Sequence, residues 1–141
     1  MKQELDEYLC KTYPKLFVNR NAPMTETCMC WGFDCGDGWF NIINQLCNNI
    51  QHHLNWKNKD SEVVPQVVVD QVKEKFGTLR FYYHGGDDYV RGLVSMAESM
   101  SGVTCEQCGK PGTSYSGGWI RTLCEEHEHA YQNRFETTEG E

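Results

Sequence analysis

The chain has 141 residues, a formal net charge of −7, 39% hydrophobic residues and 12% aromatic ones. That apolar content is enough to fill a compact core and excludes wholesale disorder. The acidic balance argues against a protein whose main work is gripping phosphate backbones, since that affinity comes from Lys and Arg displacing counterions.

The opening MKQELDEYLCKTYPKLF has acidic residues where a secretory signal needs an apolar run. No stretch approaches the roughly 20 apolar residues of a membrane span, so the chain reads as a cytoplasmic protein without a membrane partner. In a reducing compartment its eight cysteines are better explained by metal or buried thiols than by disulfides. Residues 2–12 predict a short helix with Leu5, Tyr8 and Leu9 on one side, ended before Pro14. The stretch FVNRNAPMTETCMCWGFDCGDGW has no sustained period and reads as a long packed loop anchored by Trp31 and Phe33.

A helix is expected from about Gly38 to Trp56, because Trp39, Ile43, Leu46, Cys47, Ile50 and Leu54 recur at helical spacing. Asp37 is its expected N-cap. In VVPQVVVDQVKEKFGTLRFYYHGG, Leu79, Phe81 and Tyr83 alternate with Thr78, Arg80 and Tyr82, the period of a half-buried strand. A hairpin turning near Phe76–Thr78 follows. A second amphipathic helix carries Val90, Leu93, Val94, Ala97 and Met100, with Asp87 or Asp88 at its start and Gly102 at its close. The fold class is therefore α+β: a small antiparallel sheet, packed amphipathic helices and a C-terminal treble-clef-like zinc finger. Residues 1–102 read as the body, 103–135 as a zinc-finger subdomain packed on it, and 136–141 as a flexible acidic tail.

The finger is read from CEQCGKPGTSYSGGWIRTLCEEH. Cys105-x2-Cys108 followed by Cys124-x2-His127 is the ligand set of a structural zinc site. A CxxC turn brings two thiolates to one point, and Gly109 allows the tight backbone of a knuckle. Cys124 and His127, three apart on a helix, share a face. Between the two ligand pairs, Gly117-Gly118 supplies a hairpin turn. His129, the rival ligand, is rotated away from that face. Three Cys and one His fill a tetrahedron and leave no place for a reacting water, so the single Zn2+ is read as structural. From 103 to 141 three basic residues face seven acidic ones, which disfavours a phosphate partner for this segment.

Three further constellations are candidates. Cys28, Cys30 and Cys35 lie close enough in sequence for a second metal site, though CxC followed by x4-C is not a standard knuckle. Lys73, Lys75, Arg80, Tyr82 and Arg91 offer a basic and aromatic binding surface. The competing explanation is an ordinary two-faced hairpin with its charges outward. Asp34, Asp37, His52, His53, His84, Asp87 and Asp88 hold the groups a small metal-dependent hydrolase would need. However, no GxSxG, P-loop, dinucleotide fingerprint or HExxH is present.

With GDGWFNIINQLC at 36–47, VKEKFGTLRFYY at 72–83 and the cysteine segment at 105–127, the chain resembles a group of small proteins encoded by bacteriophages and prophages, over about residues 28 to 129. The MCWGFDC cysteines stand outside that group's pattern. The resemblance carries no catalytic roles. It implies a viral accessory protein acting in the cytoplasm of a bacterial host cell, and the function expected is binding and modulating a host protein, a defence factor among the candidates. The alternatives are a nucleic-acid-binding regulator working through the 72–91 region and the small hydrolase.

Overall fold

The computed structural model describes residues 1–23 and 27–139, the last three by backbone alone. Helix α1 (Gln3–Thr12) ends before Pro14 and turns Leu9 into the core. In the stretch expected to be a packed loop, residues 24–26 lie outside the described residues. Its remainder is more structured than its aperiodic sequence suggests. Cys28–Trp31 makes a 3-10 turn whose inward residue is Met29, Phe33–Asp34 is a strand (β1), and Asp37–Trp39 is a second 3-10 turn. Phe33 anchors as expected, edge-to-face against Phe17 at 5.1 Å. Trp31 does not; it is 70% exposed.

Helix α2 (Phe40–Lys57) buries Ile43, Leu46, Cys47, Ile50 and Leu54, the stripe read from the sequence. It starts at Phe40 rather than Gly38, and Asp37 does not cap it. The Asp37 carboxylate instead accepts the backbone N–H of Lys2 at 2.8 Å. The three-stranded sheet has the order β1–β2–β3, with β2 at Val68–Lys75 and β3 at Thr78–His84. β2 and β3 form the expected antiparallel hairpin. β1 runs parallel to β2, pairing Phe33 with Val72 and Asp34 with Lys73. The sheet is thus mixed, not purely antiparallel. The cause is connectivity: α2 lies between β1 and β2 and returns the chain to start β2 in the same direction, as a crossover helix does.

Along the hairpin Val69, Val72, Leu79 and Phe81 point into the core shared with α1, α2 and helix α3 (Asp88–Ser101). β3 is an edge strand, and α3 covers that edge with side chains. Ser101 Oγ accepts the Leu79 N–H at 2.8 Å, and Glu98 accepts the Phe81 N–H at 3.0 Å. Asp87 is the N-cap of α3, accepting from the Val90 N–H at 3.1 Å. The hairpin turns on two residues, Phe76 at φ +53° and Gly77 at φ +80°. That is the twist a two-residue hairpin demands, usually met by Asn-Gly. A phenylalanine in the left-handed region costs on the order of 1 kcal/mol, and Phe76 recovers little by burial because it is 63% exposed.

The C-terminal segment holds a two-stranded antiparallel ribbon, β4 (Thr113–Tyr115) and β5 (Arg121–Leu123), followed by helix α4 (Glu125–Glu139). The helix runs past residue 136, where the sequence suggested a flexible tail; residues 140 and 141 lie outside the described residues. The main apolar cluster takes nothing from this segment. Among the described residues, no helix is long and apolar enough to cross a membrane.

Candidate metal centre

The sequence brings four ligands together by two local devices. Between Thr104 and Pro111 the chain folds into a knuckle: the Cys105 N–H donates to the Lys110 carbonyl at 2.8 Å, and the Gly109 N–H donates to the Cys105 carbonyl at 2.9 Å. Gly109, at φ +80°, permits that turn. On the far side of the ribbon, Cys124 stands just before α4, and its carbonyl accepts the Glu128 N–H at 2.9 Å. His127, in the first turn, therefore lies above it.

One ligand atom from each of Cys105, Cys108, Cys124 and His127 falls within 4.8 Å of all the others. The measured edges are 3.8 Å from Cys108 Sγ to Cys124 Sγ, and 3.6 Å and 3.2 Å from His127 Nδ1 to Cys105 Sγ and Cys124 Sγ. A tetrahedral ion about 2.3 Å from each sulfur and about 2.0 Å from nitrogen requires S–S edges of about 3.8 Å and S–N edges of about 3.5 Å. The cluster has the size of an ion's first coordination sphere. Burial raises the Cys105 thiol pKa, but the backbone N–H groups of Cys124, Cys108 and Gln107 aimed at its sulfur outweigh it and hold the group below its ordinary value. At Cys105 this favours thiolate, the form that ligates, whereas at Cys108 the lowering by the Lys110 N–H is outweighed by burial and the neighbouring Cys105 and Cys124 thiols, which raise its pKa. His129 stays outside the group, beside Asn133 at 3.3 Å.

The cluster is fixed to the body through the GDGW and KFGT segments. The Gly38 N–H donates to the Glu106 carbonyl at 2.7 Å, the Gly36 N–H to the Glu106 carboxylate at 2.8 Å, and the Trp39 indole N–H to the Thr104 carbonyl at 2.9 Å. Gly36 and Gly38 must be glycine because their Cα atoms lie against knuckle backbone. A Cβ on Gly38 would overlap the Cys105 carbonyl oxygen and sit 2.6 Å from the Glu106 carbonyl. A second dock is the hairpin tip, where the Thr122 hydroxyl donates to the Gly77 carbonyl at 2.6 Å. GDGW and KFGT thus form the receptor for the cysteine segment. Burial raises the Glu106 pKa, with Glu74 and Asp34 adding to the effect and the Gly36 N–H opposing it.

Arg121 ties the ribbon to α4. Its Nε donates to Glu128 at 2.7 Å and its second terminal nitrogen closes a fork on the same carboxylate. Its remaining terminal nitrogen donates to the carbonyls of Gly117 and Trp119, at 3.2 and 2.8 Å. The guanidinium also stacks 3.9 Å from the Tyr131 ring centre. The Glu128 hydrogen bond raises the Arg121 pKa, and the same bond lowers that of Glu128.

The other candidates fare differently. Among the described residues, Cys28, Cys30 and Cys35 do not form a group that could share an ion. Residues two apart on a 3-10 turn project about 120° from one another, so Cys28 is exposed while Cys30 points back to the Thr27 carbonyl at 3.4 Å. Cys35 is buried and its pKa is pushed up to about 12, first by burial and then by Glu106. Cys10 and fully buried Cys47 are likewise raised by burial. These are inert thiols in or near the core. Among the described residues no three of the hydrolase candidates converge on one point: His53 pairs with Asp87 at 2.8 Å, while His84 turns to Asp70 at 3.0 Å, Asp37 to Lys2 and Asp88 to Arg91.

Lys73, Lys75, Arg80 and Tyr82 do share the outer face of the hairpin, Lys73 directly opposite Arg80 and Lys75 opposite Thr78. Arg91 is not with them. It sits on α3 paired with Asp88, its charge felt by Tyr83 on the opposite face of the sheet. The sequence reading missed Glu106, Thr122 and Trp39 as docking groups. The one available signal was the pair of glycines flanking Asp37. Comparison with protein-family models, with curated proteins and with solved structures gives no match for this chain.

Proposed function

We propose that this chain is a zinc-stapled binding protein of the phage accessory kind, working by contact with a host protein. The ion is structural and the C-terminal segment is a treble-clef-like finger: knuckle, ribbon, then a helix whose first turn brings the last ligand. The observation that carries the reading is the Cys105–Cys108–Cys124–His127 cluster, in which the protein itself supplies every ligand of a tetrahedral ion. A zinc held this way has no open position for water or substrate, so its contribution is folding energy. The docking of the finger on GDGW and KFGT supports the same view, because it makes the ion the clasp of one combined surface.

The test has two arms. Elemental analysis of the purified protein should give one zinc per chain, and a C-terminal segment that keeps its fold without metal would overturn the structural role. Affinity capture from host lysate treated with nuclease should retain a specific protein, and this capture should be lost by Cys124→Ser. Recovery of nucleic acid alone, or of nothing, would overturn the protein-binding reading.

A further inference from the structure

The hairpin tip and the ribbon tip face each other across a cleft of about 680 Å3, within the roughly 300–1,000 Å3 usual for small-ligand sites. Each tip contributes one exposed aromatic side chain. Phe76 is 63% exposed and Trp119 68%. Neither is explained by the fold. Phe76 occupies a left-handed turn position that Asn or Gly would hold without strain. Trp119 follows Gly117 and Gly118, both at positive φ with open space beside them, while Arg121 grips the carbonyls on either side. A residue that breaks a local rule without burial in return marks a site of function.

The charges of the cleft are the second observation. Lys73 and Lys75 line it and form no ion pair among the described residues. Three carboxylates line it beside them, Asp34 as the cross-strand partner of Lys73, Glu74 between the two lysines in sequence, and Glu106 from the knuckle. Glu74 and Glu106 are already committed to the N–H groups of Gly77 and Gly36, whereas Asp34 makes no side-chain hydrogen bond among the described residues. The cleft therefore offers two aromatic side chains, Phe76 with Lys75 Nζ 5.5 Å from its ring centre, two lysines outside any ion pair and one carboxylate outside any hydrogen bond among the described residues.

We propose that this cleft binds a nucleoside phosphate, its base held by Phe76 and Trp119, its phosphate met by Lys73 and Lys75, and an amino or ring N–H accepted by Asp34. A basic peptide side chain would use the aromatics and the carboxylate but leave the lysines unanswered. With a net charge of −7 the rest of the molecule repels a long phosphate chain, so the site takes one nucleotide, either free or at the end of a short strand. The inference goes beyond the protein-binding reading and stands without it.

The test is calorimetric titration of the zinc-loaded full chain with each nucleoside 5′-monophosphate, with a 5′-phosphorylated single-stranded trinucleotide, and with an arginine-containing peptide. At least one nucleotide should bind with Kd below about 1 mM. Tighter binding of the trinucleotide assigns the site to a strand end, and equal binding assigns it to free nucleotide. Trp119→Ala should weaken binding about tenfold, the usual effect of removing a stacking partner, and Lys73→Ala with Lys75→Ala should flatten its salt dependence. Phe76→Asn separates function from folding: it should melt no lower than the parent yet bind more weakly. Absence of saturable nucleotide binding, unchanged affinity in Trp119→Ala and Phe76→Asn, or binding of the peptide alone would overturn the proposal.

Discussion

Gly38→Ala is the sharpest test of how the cysteine segment is held. The added methyl would occupy space filled by the Cys105 carbonyl oxygen and the Glu106 carbonyl group. These are backbone atoms of the knuckle and cannot swing aside, so the knuckle must withdraw. Withdrawal breaks the contacts from Gly38 to the Glu106 carbonyl, from Gly36 to its carboxylate and from Trp39 to Thr104. At about 1 kcal/mol net for each hydrogen bond, the loss is about 3 kcal/mol, a large part of the roughly 5–15 kcal/mol that stabilises a domain. For a chain of this length the thermal midpoint should fall by roughly 10 °C. The four candidate ligands all belong to the cysteine segment, which withdraws as a unit, so the metal bound per chain should equal that of the parent. Gly92→Ala, on the exposed side of α3 with nothing near its Cβ, is the control and should stabilise by about 0.5–1 kcal/mol. Calorimetric melting with elemental analysis reads both variants. A Gly38→Ala protein within about 0.5 kcal/mol of the parent would refute the claim that these glycines seat the knuckle.

Chelating the metal, or making Cys124→Ser, should unfold the C-terminal segment while most of the helical circular dichroism of the body persists, because the main apolar cluster draws on no residue beyond Ala97; a single cooperative collapse of all helical signal would contradict this. Arg121→Lys keeps a charge but loses the fork on Glu128 and the stack on Tyr131, and should cost about 2–4 kcal/mol in chemical denaturation. Asp87 has its pKa lowered by the His53 hydrogen bond and by the Val90 N–H. A carboxylate depressed in the folded state stabilises above its unfolded pKa of about 3.9 and loses that contribution as pH falls through the folded value. Asp87→Ala should therefore cost about 1 kcal/mol at neutral pH, and urea titrations should show the gap closing below about pH 4.

Much of this was legible in the sequence wherever the determinant is local. The ligand spacing of Cys105, Cys108, Cys124 and His127 is set within one knuckle and one helical turn, and the stripe from Ile43 to Leu54 is a property of a single helix. Phe76–Gly77 was readable as a turn for the same reason. The parallel pairing of Phe33–Asp34 was not, because two residues carry no alternation and their partner lies beyond a whole helix. Asp37 looked like a cap because its type and place suit one, yet Lys2 takes its carboxylate from 35 positions away. The seat of the knuckle joins residues some 70 apart, Gly36 with Glu106, and nothing in either segment alone reports the other. Trp31 misled because a large apolar residue in an aperiodic stretch has no pattern to say which way it faces.

The coverage of β3 by Glu98 and Ser101 has a consequence for how this molecule behaves at high concentration. One rim of the sheet has its outward amides occupied by α3, and the opposite rim is a strand only two residues long. At these two borders a second polypeptide finds only a short template on which to lay itself as an extra ribbon, which disfavours edge-to-edge stacking of this sheet.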